Sequence, residues 1–64
     1  MNYQQKVRQI RISKGINQKQ LAEMIFVTPP IISYIENKKR QTTVEMLQRI
    51  ADALGVNIKE FFED

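Results

Sequence analysis

Apolar residues recur along this chain three or four positions apart, in five short groups separated by polar residues. That spacing puts each group on one face of a helix. The first group is Tyr3, Val7 and Ile10. Asn2 can cap its start, Gln5 holds the capping-box position, and Lys14 followed by Gly15 reads as its end. The second is Leu21, Ala22 and Ile25, predicting a helix from Gln18 to about Ile25. Here Asn17 is the cap, Gln20 its capping-box partner, and Ile16 can staple onto Leu21. The third is Ile32 and Ile35, in a helix from Pro29 to about Asn37. Thr28 precedes it, Val27 can staple onto Ile32, and Pro29 takes the first helical position, where a missing N–H costs nothing.

The fourth group is the longest: Val44, Leu47, Ile50, Ala51 and Leu54, ended by Gly55. Its start is open between Thr42, which would form a capping box with Glu45, and Thr43, which would put Glu45 early in the first turn. A fifth short helix follows Asn57, with Glu60 three residues on and Val56 able to staple onto Phe61. No strand pattern, repeat, linker or low-complexity segment interrupts this series. The expectation is an all-α fold of five helices with short connections. One junction stands out. The turn between helices two and three contains Phe26 and no glycine. A left-handed phenylalanine would be strained, so either the turn has another geometry or Phe26 is buried enough to offset the strain.

With 64 residues the chain makes one small domain, residues 1–64. A domain of this size buries only about 60% of its unfolded surface, so modest stability is expected. Hydrophobic residues at 42% and charged residues at 27% place it among globular rather than disordered chains. It has no cysteine and no histidine. A disulfide and a thiolate zinc site are therefore impossible, and the commonest general base and metal ligand are missing. No enzyme, cofactor, metal or small-molecule ligand is expected. No apolar run approaches a membrane span and no signal peptide opens the chain, so a cytoplasmic location is expected.

The net charge of +3 is unevenly spread. Through Gln41, eight basic residues stand against two acidic ones; from Thr42 onward, two stand against five. The basic part holds the second and third helices, which suits a polyanionic partner on that side. An uneven solubilising surface would look the same.

Taken together, Arg11, Gly15, Asn17-Gln18, Leu21-Ala22-Glu23, Val27-Thr28, Ile32, Ile35-Glu36, Leu47, Ile50-Ala51 and Ala53-Leu54-Gly55-Val56 span nearly the whole chain in one order and spacing. In these residues the chain resembles the Cro/C1-type, lambda-repressor-like family of helix-turn-helix domains. The resemblance implies a compact five-helix domain with helices two and three as the helix-turn-helix. It implies double-stranded DNA as partner, helix three in the major groove, and a homodimer reading half-sites about 34 Å apart. It also implies an ion pair between Arg11 and Glu36, tying helix one to helix three. A buried setting is expected for that pair. The chain departs from the family at three loop positions: Phe26 and Lys38 stand where glycine is usual, and Thr42 where proline is usual.

The resemblance puts Thr28, Pro29, Pro30, Ser33 and Tyr34 on the outward face of the recognition helix. The two prolines can stiffen the helix start or touch thymine methyl groups. Ser33 can bond a base or phosphate, or merely be solvated. Tyr34 can reach DNA or lie over the domain surface. Asn17, Gln18 and Lys19, at the start of helix two, and Lys38, Lys39 and Arg40, after helix three, are the candidate phosphate contacts. Capping alone would also account for Asn17. Phe61 and Phe62 are more apolar than a solvated tail needs; one is expected to close the core and the other to form a dimer contact. Two functions follow. One is a sequence-specific DNA-binding transcriptional regulator, a repressor acting by occupancy. The other is a protein-interaction module on the same fold, for which the scarcity of forked hydrogen-bonding side chains on helix three argues.

Overall fold

The computed structural model describes residues 2–63. These hold four α-helices: α1 (Tyr3–Ser13), α2 (Gln18–Met24), α3 (Pro29–Glu36) and α4 (Val44–Leu54). A 3₁₀ helix, Ile58–Phe62, closes the domain. The expectation of five α-helices is thus corrected in its last element. Short closing segments commonly take the tighter 3₁₀ winding, and here Glu60 N–H donates to the Asn57 carbonyl at 3.0 Å.

The helix starts follow from their caps. Asn17 and Gln20 make the full reciprocal box at α2, and Asn57 and Glu60 make it at the 3₁₀ helix. Asn2 accepts from the Gln5 amide at 2.9 Å. At α4 the choice falls on Thr43, whose hydroxyl accepts from the Met46 amide at 3.1 Å. Thr28 caps α3 without a side-chain bond. Pro30, at the second helical position, lacks one of the two N–H groups such a bond uses. The Thr28 carbonyl accepts from Ile31 instead, at 3.0 Å.

All four α-helices end the same way. The chain turns through one left-handed residue, and two amides reach back to the last carbonyls. At α1 that residue is Gly15 and at α4 it is Gly55, both with φ 72°. At α2 it is Phe26, φ 62°, and at α3 it is Lys38, φ 63°. Both alternatives considered for Phe26 therefore fail: the turn keeps the left-handed geometry, and the ring is 89% exposed. The backbone closure decides the conformation here. Val27 N–H donates to the Ala22 carbonyl at 2.9 Å and Phe26 N–H to Glu23 at 3.4 Å.

The core is one cluster fed by every element. Val7 comes from α1, Leu21 and Ala22 from α2, Ile32 and Ile35 from α3, and Leu47, Ile50, Ala51 and Leu54 from α4; Ile25 and Phe61 complete it. Val44 was expected on the apolar stripe of α4 but is 71% exposed. As the first helical residue it lies beyond the packed turns. Phe61 is fully buried and closes the core, while Phe62 remains on the surface, its ring 5.9 Å from that of Tyr3.

Candidate nucleic-acid interface

The interface is built from the inside outward. The buried face of α1 is Gln4, Val7 and Arg11, so two of its three residues are polar. Arg11 forks onto Glu36 at the end of α3, with Nε donating to Oε2 at 2.7 Å and Nη2 to Oε1 at 3.0 Å. Its remaining nitrogen, Nη1, donates to the Ile16 carbonyl at 2.7 Å. The expected buried ion pair is present. Glu36 is 3% exposed and Arg11 7%, and the fork satisfies both carboxylate oxygens. A third donor, Gln18 Nε2, reaches Glu36 Oε1 at 3.1 Å. This bond sets the start of α2 against the end of α3.

That junction leaves one side of α3 inward and the other free. Ile32, Ile35 and Glu36 are buried. Thr28, Pro29, Pro30 and Tyr34 are exposed; Ser33 is half-buried, its hydroxyl accepting from Asn37 Nδ2 at 3.2 Å. Beyond α3 the chain does not wander. Lys39 and Arg40 both donate backbone N–H groups to the Tyr34 carbonyl, at 2.9 and 3.2 Å, and Lys38 donates to Ile35 at 3.2 Å. Lys38, Lys39 and Arg40 are exposed and folded back against the same end of α3 that Gln18 touches through Glu36. The structure therefore gathers Gln18, Tyr34 and the basic loop around one helix end. Lys19 is exposed on the first turn of α2. Asn17 is committed to its box: its amide donates to Gln20 Oε1 at 2.8 Å and its Oδ1 accepts from Gln20 N–H at 2.7 Å.

Two long-range bonds have no counterpart in the sequence reading. Gln4 Nε2 donates to the Arg40 carbonyl at 3.0 Å. Arg49 of α4 donates to the Ile25 carbonyl at the end of α2. A glutamine or arginine on an amphipathic helix reads as solvated, and only burial of Gln4 among core positions betrays it. Among the described residues no cluster of three or more carboxylates could hold a metal ion. No described helix is long and apolar enough to cross a membrane.

Two short helices locked at a fixed angle, with the second presenting a free face beside a cationic loop, define a helix-turn-helix domain. The profile of the helix-turn-helix family matches residues 7–61, and the chain belongs to its Cro/C1-type branch. It is 41% identical over 59 residues to the uncharacterized HTH-type transcriptional regulator RP497 of Rickettsia prowazekii, covering 92% of this chain and 45% of that one. Over 56 residues it is 38% identical to the HTH-type transcriptional regulator RamB of Mycobacterium tuberculosis, covering 88% of this chain and 12% of that one. The chain spans less than half the length of these curated relatives. The crystal structure of the clp gene regulator ClgR from C. glutamicum superposes with a TM-score of 0.90 at 27% identity, covering 94% of this chain and 78% of that one.

Proposed function

We propose that this domain binds specific sites on double-stranded DNA as a homodimer, with the outward face of α3 in the major groove. Thr28, Pro29, Pro30, Ser33 and Tyr34 meet the base edges. Gln18, Lys19, Lys38, Lys39 and Arg40 meet the phosphates on either side. Asn17 serves chiefly as the cap that fixes the start of α2. The carrying observation is the folding of the basic loop onto the Tyr34 carbonyl, beside the end that Gln18 contacts. Three cations held next to an exposed helix face suit a groove edged with phosphate. Base discrimination rests on shape, methyl contacts and the hydroxyls of Thr28, Ser33 and Tyr34, since the face has no Arg, Asn or Gln to fork onto a base.

Occupancy by such a domain blocks whatever else needs the same DNA, so repression is the outcome it produces by itself. The proposed setting is the cytoplasm, where no cofactor or small molecule is required. Phe62, exposed at 59%, is the proposed dimer contact. Sedimentation checks it: Phe62→Ala is expected to shift the protein toward monomer, and an unchanged profile removes Phe62 from the interface. Selection of bound duplexes from a random pool tests the whole reading. Enrichment of a two-fold-symmetric site with half-sites about 34 Å apart is expected; a selected pool no different from the input refutes it.

A second reading has one observation in its favour. Phe26 is 89% exposed and Met24 is 47% exposed, an apolar pair at the end of α2, near Arg49 and Asp52 of α4, that suits a protein partner. Titration with mixed-sequence duplex at low and high salt separates the two, because a protein-only module shows little salt-sensitive binding.

A further inference from the structure

We infer that Gln4 is a positioning residue for DNA binding: its side chain latches the basic loop through the Arg40 carbonyl without touching DNA itself. The inference rests on the docking face proposed above. Its starting point is the buried face of α1, where Gln4 and Arg11 lie seven residues apart on either side of Val7. Both reach to the far end of α3. Arg11 takes Glu36, the last residue of the helix; Gln4 takes Arg40, four residues further on. α1 is thus a two-point clamp on the segment that carries the three cations.

A glutamine at 7% exposure is an expensive choice where a leucine would pack. Its hydrogen bond removes that penalty, and the bond spans 36 residues of sequence at 3.0 Å. What it fixes is specific. The Arg40 N–H is already held by the Tyr34 carbonyl at 3.2 Å, and the latch holds the Arg40 carbonyl as well. Both backbone polar groups of one residue are therefore committed. The side chains of Lys38, Lys39 and Arg40 then leave a backbone that is ordered before any polyanion arrives. A loop without the latch would have to be ordered on binding, which weakens affinity.

The test is a double-mutant cycle on a mixed-sequence duplex of about 20 base pairs, whose binding depends on phosphate contacts rather than on the operator. Gln4→Leu keeps the packing and removes the donor. It is expected to lower duplex affinity by roughly three- to tenfold, the range set by one lost hydrogen bond, while circular dichroism shows an intact helical fold. The second arm repeats Gln4→Leu in a chain carrying Lys38→Ser, Lys39→Ser and Arg40→Ser. There the substitution is expected to change affinity no further, because the charges it positions are gone. An equal loss in both backgrounds would assign Gln4 a general structural role and overturn the inference. So would an unchanged affinity for Gln4→Leu in the wild-type background. If Gln4→Leu does not fold, Gln4→Met is read instead, together with amide exchange of Lys39 and Arg40 in the free protein. Exchange there must accelerate relative to α4, and unchanged exchange rejects the latch. A wild-type chain that does not bind the duplex at all would fell the docking reading, a result distinct from either failure of the latch.

Discussion

Two helix ends in this domain are made with glycine and two are made without it. Gly15 and Gly55 close α1 and α4, the helices that form the floor. Phe26 and Lys38 close α2 and α3, the pair that faces outward. All four ends use one hydrogen-bond pattern and nearly one φ, from 62° to 72°. A left-handed conformation is nearly free for glycine and costs other residues about 1–2 kcal/mol. The strain in the molecule is therefore placed on both sides of α3. Neither strained residue recovers it by burial, since both side chains are exposed. Such a conformation persists only where the surroundings over-determine it. At α3 those surroundings are the Arg11–Glu36 fork, the Gln18 bond and the closure onto Tyr34.

Removing that support is expected to have the largest effect. Glu36→Ala strands the Arg11 guanidinium in a buried site and leaves Gln18 without its acceptor. Denaturant unfolding should show a loss of about 3–5 kcal/mol, a large share of the stability available to so small a domain. A loss near zero would mean that the pair is not what holds α1 to α3.

The glycine ends come next. A methyl group added at Gly15 or Gly55 meets nothing within 4 Å. Any loss in Gly15→Ala or Gly55→Ala is therefore backbone conformation alone. Each should lower stability by about 1 kcal/mol, read as a fall in the unfolding midpoint. A neutral result for either would mean that its helix end is not held in the left-handed conformation.

The strained ends should respond with the opposite sign. Phe26→Gly removes the strain and adds the entropy that glycine loses on folding, for a net gain of about 0.5–1 kcal/mol. A loss of stability would show that the exposed ring makes a contact after all. Lys38→Gly should bring a similar or smaller gain. It should also flatten the dependence of duplex affinity on salt by about 0.9 in slope, one phosphate contact fewer. Higher stability with weaker binding in one variant would show that the residue at this end is kept for its charge. An unchanged slope would take Lys38 off the phosphate backbone.

Gly15, Gly55, the Asn17–Gln20 box and the stripe from Leu47 to Leu54 are local signals, and local spacing was enough to place them. Arg11 and Glu36 lie 25 residues apart. Only the family pattern paired them. Phe26 and Lys38 carry no left-handed signature of their own. The one signal was the family's usual glycine at both positions, and the backbone here has the left-handed conformation that glycine favours. Gln4 and Arg49 act across 36 and 24 residues. Both read as ordinary polar positions, because their partners are backbone carbonyls that any residue would offer. Phe61 and Phe62 looked alike as neighbours, and only packing separated the core residue from the surface one.

The most direct test of the central claim maps the contact surface. Isotope-labelled protein is titrated with a mixed-sequence duplex, and amide shifts are followed along the chain. Shifts are expected at Lys19, Ser33, Tyr34 and Lys38 to Arg40, with α4 and the closing 3₁₀ helix left unmoved. Shifts concentrated on α4 or around Phe62, with α3 and its loop silent, would contradict it.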